Sequence, residues 1–222
     1  MISTDHIISI DKPMDWTSFD VVRKVKYATR IKKVGHAGTL DPFATGVLII
    51  LTGKNTKRQN EFMDMPKTYT AEISLGSQTD TGDRTGEITK TLEVPELNEE
   101  RIQTVLSQFI GDILQTPPMY SAKKVNGQTL YKLARKGKVV HRRPTAVSVY
   151  TIDLESWSQD QLNIQVQCSR GTYIRVLAED IATQLGTAAH VKELRRTAIG
   201  DYRAEDALSI PEFIEKWKSS AA

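Results

Sequence analysis

Gly35-His36-Ala37-Gly38-Thr39-Leu40-Asp41-Pro42-Phe43-Ala44-Thr45-Gly46-Val47-Leu48-Ile49-Ile50-Leu51 joins a glycine-rich segment to an uninterrupted apolar run. Three glycines and a proline within residues 35–46 predict an ordered loop, and residues 47–51 read as an apolar strand. Proline disfavours the helical region for the residue before it, and the glycines let the backbone turn tightly, so the loop can hold the Asp41 carboxylate out into a cleft. An isolated Asp-Pro pair is more often only an Asx turn. The surrounding sequence decides between the two.

Working outward, residues 7–10 (IISI) predict a short buried strand ended by Lys12-Pro13. Ser18 reads as the N-cap of a helix with Phe19, Val22 and Val25 facing inward. Residues 69–75 alternate as a strand, and the acidic TDTGDRTG that follows is turn chemistry. Asn98 caps a helix with Ile102, Val105, Leu106 and Phe109 on its inner face. Leu162, Ile164, Val166 and Cys168 alternate as a half-buried strand that stops at Ser169-Arg170-Gly171. Ile174, Leu177, Ala178, Ile181 and Leu185 line one face of a helix closed by Gly186. A last amphipathic helix starts near Ser209, with Pro211 in its first turn and Phe213, Ile214 and Trp217 on its apolar side. No repeat and no sharp linker divides the 222 residues. The expected fold is α+β (mixed α/β): one domain with a central mixed, largely antiparallel sheet flanked by helices.

Composition narrows the chemistry. The lone Cys168 excludes an internal disulfide and a paired-cysteine zinc site, and it reads as a buried core thiol. His6, His36, His141 and His190 lack the HExxH spacing, and no acidic cluster resembles a calcium loop, so metal catalysis has no support in the sequence. No GxGxxG or GxxxxGK[ST] occurs, so no nucleotide cofactor is indicated. There is no signal-peptide pattern and no apolar run near the roughly 20 residues of a membrane span, and the expectation is a soluble cytoplasmic protein. Net charge is only +3, but it is unevenly placed. From Pro117 to Pro144 lie Lys123, Lys124, Lys132, Arg135, Lys136, Lys138, Arg142 and Arg143 with no acid, whereas residues 76–100 are dominated by Asp and Glu. The first stretch would attract a polyanion and the second would repel it.

The run from Gly35 to Leu48 resembles the catalytic motif of the TruB family, the tRNA pseudouridine-55 synthases. The resemblance continues in the family's order through Asp11-Lys12-Pro13, Lys67-Thr68-Tyr69, Thr79-Asp80-Thr81-Gly82-Asp83, Pro117-Pro118-Met119-Tyr120-Ser121-Ala122, Cys168-Ser169-Arg170-Gly171-Thr172-Tyr173-Ile174-Arg175 and Ala189-His190-Val191-Lys192-Glu193-Leu194-Arg195-Arg196. It departs at Asp15, where the family usually has glycine, and at Ala37 and Phe43, where threonine and leucine are usual. Family members usually continue into a small RNA-binding domain of PUA type. Only 22 residues follow Gly200, so residues 1–222 are expected to form the catalytic domain alone, with a basic RNA-binding insertion at about 120–145.

The resemblance implies an isomerase that needs no cofactor. Asp41 would be the nucleophile, acting at C1′ or C6 or through a glycal. Arg175 would pair with Asp41 and keep it ionised, and Tyr69 would lie against the uracil and serve in proton transfer. Tyr173 and Leu194 would line the pocket, and His36 would brace the stack vacated by a flipped uridine. Lys12 would support the loop or a phosphate. Lys123, Lys124, Arg135 and Lys136 would neutralise phosphates of the T stem-loop without reading its sequence. The implied partner is tRNA, with no membrane and no protein partner required, and the implied state is a monomer. One carboxylate beside a flipped base would equally suit an RNA glycosylase or transglycosylase, and a non-enzymatic RNA chaperone would use a similar cleft. The guide-RNA-dependent synthases share the motif, but the short length and the TDTGD block favour the stand-alone type.

Overall fold

The structure, a computed structural model, describes residues 4–125 and 127–221. In chain order the strands are β1 (Ile7–Lys12), β2 (Val34–Ala37), β3 (Thr45–Thr52), β4 (Lys67–Leu75), β5 (Ser77–Thr79), β6 (Ile88–Thr91), β7 (Gly111–Gln115), β8 (Lys124–Val125), β9 (Gln128–Thr129), β10 (Thr145–Ser158), β11 (Gln161–Cys168), β12 (Ala189–Ile199) and β13 (Tyr202–Arg203). The α-helices are α1 (Ser18–Thr29), α2 (Gln59–Asp64), α3 (Glu99–Ser107), α4 (Leu130–Ala134), α5 (Ile174–Leu185) and α6 (Ile210–Ala221). The chain forms two compact units: residues 1–69 with 194–222, and residues 70–193. Strands β4 and β12 pass from one unit into the other.

In the first unit, β3 pairs antiparallel with β1 and β2 and parallel with β12. Its run Val47–Leu51 is buried throughout, and alternate residues serve two cores. Leu48 and Ile50 pack with Ile10, Val21, Val22, Val25, Ile210 and Phe213, under α1 and α6. Val47, Ile49 and Leu51 pack with Ala37, Phe62 and Ile199. Each of these side chains contributes about 1.5–3 kcal/mol through removal from water. A strand apolar at every position from Val47 to Leu51 therefore sits where its composition requires.

In the second unit, β11 and β10 form a long antiparallel hairpin, and β7 pairs with the far side of β10. The alternation Leu162, Ile164, Val166, Cys168 faces inward, and Cys168 is a buried free thiol. Asn98 caps α3 by accepting from the Arg101 N–H at 2.8 Å, and Gly186 closes α5 at φ 87°. The basic stretch is a two-strand hairpin, β8–β9, running into the short helix α4.

Four local readings change. Helix α3 ends at Ser107, so Phe109 lies in the turn beyond it and is only half-buried. The segment 35–46 is not all loop: Gly35, His36 and Ala37 pair with Leu51, Ile50 and Ile49 as part of β2. The N-cap of α1 is Thr17, not Ser18, in a reciprocal capping box with Asp20. The hydroxyl of Ser18 points instead at the Asp41 loop, accepting from the Leu40 N–H and lying 3.2 Å from the Leu40 carbonyl. Phe19 is not in the core but 68% exposed; the buried face of α1 is Ser18, Val21, Val22 and Val25.

Candidate active site

Asp41 lies half-buried between β2 and β3, on a loop whose backbone is fixed from several sides. Lys12, fully buried at the end of β1, donates to the carbonyls of Pro13 (2.8 Å), Trp16 (2.6 Å) and Pro42 (3.0 Å). Its three protons are directed at three carbonyls, two of them between β1 and α1 and one within the Asp41 loop. The N–H of Asp15 also donates to the Pro42 carbonyl, at 2.8 Å. Asp15 does so from the left-handed region, φ 63°, which glycine adopts freely and which costs an aspartate about 1 kcal/mol.

Arg196 closes the loop from the other side. Its side chain, 1% exposed, donates to the carbonyls of Val47 (2.8 Å), Gly38 (3.2 Å) and Thr39 (3.5 Å). The sequence pattern assigns this buried arginine no role, although Leu194, Arg196 and Ala198 share the inward register of β12. Its neighbour Arg195 faces the other way and forms a two-pronged pair with Asp11, at 2.8 and 3.1 Å. His36 stands next to the loop on β2. Burial first, and then the Arg196 guanidinium, hold its pKa below the usual histidine value, so the ring is neutral near pH 7. Tyr69 on β4 and Leu194 on β12 are buried in this same unit.

Burial pushes the Lys12 pKa down to about 8, while Asp41 and then Asp15 pull it back up. A group whose folded pKa lies below its unfolded value gives up its proton first in the folded state. Between about pH 8 and 10.5 the unfolded chain thus holds more protons, and this lysine's contribution to stability rises with pH there. Deprotonation also takes one donor from the three carbonyls. At saturating RNA, kcat is expected to fall as pH rises through about 8. Lys12→Gln should be slower throughout and lack that limb; the same limb in the variant would assign it to another group.

Arg175 and Tyr173 belong to the second unit. Arg175, in the first turn of α5, donates to the carbonyls of Thr81 (2.5 Å) and Tyr120 (2.8 Å), with its Nε 3.7 Å from the Asp83 carboxylate. That carboxylate accepts in turn from the Thr81 hydroxyl, the Thr85 N–H and the Thr85 hydroxyl. The TDTGD turn, to which the sequence assigned no side-chain role, is thus what orients the arginine. Gln115 fixes Tyr173 by bonding both its backbone N–H and its carbonyl. Lys123, Lys124, Arg135 and Lys136 are all exposed; Lys123 donates to the Thr145 hydroxyl, and the Arg135 guanidinium lies over the Tyr131 ring. Among the described residues, no three His, Cys, Asp or Glu side chains gather as a metal ion would require.

The chain superposes on a chain of a solved Cbf5-Nop10-Gar1 complex with a TM-score of 0.76 and 28% identity, over 99% of this chain and 57% of that one. It matches an H/ACA RNP bound to a substrate RNA containing 2′-deoxyuridine with a TM-score of 0.72 and 26% identity, over 99% of this chain and 56% of that one. The fold is that of the pseudouridine synthases. The model of the TruB family pseudouridylate synthase N-terminal domain matches residues 26–174, and that of the tRNA pseudouridylate synthase B C-terminal domain matches residues 175–221. The chain is 47% identical over 210 residues to tRNA pseudouridine synthase B of Francisella philomiragia, and 45% identical over 208 residues to that of Dechloromonas aromatica. Those alignments take in 94% of this chain and 70% and 69% of the two relatives. The chain belongs to the TruB family of tRNA pseudouridine synthases.

Proposed function

We propose that the chain isomerises uridine-55 in the T loop of tRNA to pseudouridine, with Asp41 as the attacking carboxylate. The observation that carries this reading is the Asp41 loop itself: Lys12, Asp15, Ser18 and Arg196 all hold its backbone, which gives the carboxylate the fixed position a nucleophile needs. In the reaction the C1′–N1 bond breaks, C5 joins C1′, and the proton lost from C5 is balanced by one gained at N1. Nothing is oxidised and mass is unchanged, so no cofactor is called for. Tyr69 assists proton transfer, Arg175 stabilises charge, and Tyr173 and Leu194 shape the pocket. A neutral His36 fills the stack left by the flipped base. The protein acts as a cytoplasmic monomer on tRNA; among the described residues no helix is long and apolar enough to cross a membrane.

The test is carbodiimide mapping of an unmodified tRNA transcript incubated with the protein alone. A new adduct at uridine-55 with unchanged RNA mass is the expected result, and release of uracil would replace the reading by a glycosylase. Asp41→Asn separates an RNA chaperone from both, since chaperoning would survive the change.

Neutralising Lys123, Lys124, Arg135 and Lys136 together is expected to weaken tRNA binding and to flatten the slope of log affinity against log salt by about 0.7–0.9 for every phosphate no longer neutralised. Turnover at saturating RNA should change much less. Replacing Lys90 and Arg101 by glutamine is the control. A wild-type slope in the quadruple variant would move the RNA-binding surface elsewhere.

A further inference from the structure

Outside this machinery the first unit carries a second cationic feature. A groove of about 650 Å³ lies between the C-terminal half of α1, the turn after it and α6. Lys24, Lys26, Arg30, Lys32 and Lys218 line it together with Tyr27. None of the five cations forms an ion pair with a described residue, whereas Arg23 on the same helix is paired with Asp20. Tyr27 is 83% exposed, an aromatic face set among positive charges. Arg30 holds the C-cap of α1 at φ 58°, a left-handed conformation that glycine adopts without strain, so the backbone conformation does not explain the arginine. Lys26 and Arg30 complement the negative end of α1 and Lys218 that of α6; Lys24 and Lys32 have no such local explanation.

We propose that this groove is a second RNA-binding surface, which takes the phosphodiester backbone of the tRNA beyond the segment held at Asp41. The proposal rests on the tRNA reading above. Charge complementarity selects a polyanion, and Tyr27 supplies a stacking face of the kind on which unpaired bases rest. Position fits as well. Ser18 at the start of α1 is bonded to Leu40 of the Asp41 loop, and Lys26 stands eight residues further along the helix, about 12 Å of rise. That is a few nucleotides of backbone. The concave shape, with Ile31 and Ile214 in its wall, suits a strand better than the flat face of a lipid bilayer.

The experiment measures affinity for a whole unmodified tRNA transcript and for an isolated T stem-loop across a salt series. The proteins compared are the wild type and a variant carrying Lys24→Gln, Lys26→Gln, Lys32→Gln and Lys218→Gln. The variant is expected to bind whole tRNA about tenfold or more weakly, with a salt slope reduced by about 0.7–0.9 for each phosphate that the removed cations had neutralised. The loss on the isolated stem-loop should be smaller, because only its nearest phosphates can reach the groove, and kcat at saturating tRNA should stay within about twofold, because none of these side chains enters the chemistry. Arg30→Gly guards against misfolding: it relieves the left-handed strain, so its Tm should not fall, yet its slope should drop by about 0.7–0.9, the share of a single phosphate. An unchanged slope in both variants, or a variant that loses only binding to phosphatidylglycerol vesicles, would overturn the proposal. If the wild type forms no pseudouridine, the tRNA-modification reading fails, and the salt slope still judges the groove separately.

Discussion

Asp41→Asn is expected to lower pseudouridine formation by at least about a thousandfold while leaving tRNA affinity within about threefold. The amide is nearly isosteric with the carboxylate, and the loop that carries it is held through backbone groups: the Pro42 carbonyl by Lys12 and Asp15, Leu40 by Ser18, and Gly38 and Thr39 by Arg196. Asparagine should therefore occupy the same place with the same surroundings, and the loss should fall on bond making rather than on docking. Single-turnover assays with protein in excess separate the two, since they remove product release from the rate. Turnover within tenfold of wild type would take Asp41 out of the nucleophile's role.

The largest effect on folding is expected at Gly46. This residue opposes Arg196 where β3 meets β12 in parallel, and its φ is +104°. A Cβ built there would stand 2.2 Å from the Arg196 carbonyl oxygen and 2.8 Å from the Arg196 amide nitrogen, atoms of a backbone that cannot swing aside. Overpacking and a forbidden backbone angle together should cost Gly46→Ala about 3–5 kcal/mol, a large share of the roughly 5–15 kcal/mol that holds a domain folded. Gly35→Ala is the matched control: no atom lies within 4 Å of its Cβ position, and it should shift the urea midpoint little. Equal midpoints for the two variants would show that β3 and β12 are not packed as described.

Much of this was legible in the sequence because the signals were local. The apolar strand at Val47–Leu51, the cap at Asn98, the alternation ending at Cys168 and the glycine stop at Gly186 all depend on neighbours within a few residues, and all stand. At α1 two local signals competed. Thr17 and Ser18 are both good caps, and only the Asp20 carboxylate returning to the Thr17 N–H decides for Thr17. Phe19 has the same spacing to Val22 as Ser18 has to Val21, and it faces solvent while Ser18 is buried. What periodicity could not show was long-range polar structure. Arg196 and Lys12 look like surface residues until their carbonyl partners are known, and the groove cations Lys24 and Lys218 are too far apart in sequence to be read as one feature. Conversely, Asp41 stood out because a long run of ordinary residues matched a family pattern. No single residue in it announced chemistry.

The Arg196 clamp has a consequence for the protein's birth on the ribosome. The arginine comes 157 residues after Thr39, whose carbonyl it holds, so the segment bearing Asp41 leaves the exit tunnel long before its fastening exists. At translation rates of about 5–20 residues per second, that wait is roughly 8–30 s. Throughout it β3, one of the most apolar segments of the chain, lacks β12 on one edge. Nascent chains stalled before residue 196 should accordingly recruit chaperones at β3 and be inactive, and release of a few dozen further residues should switch both properties together.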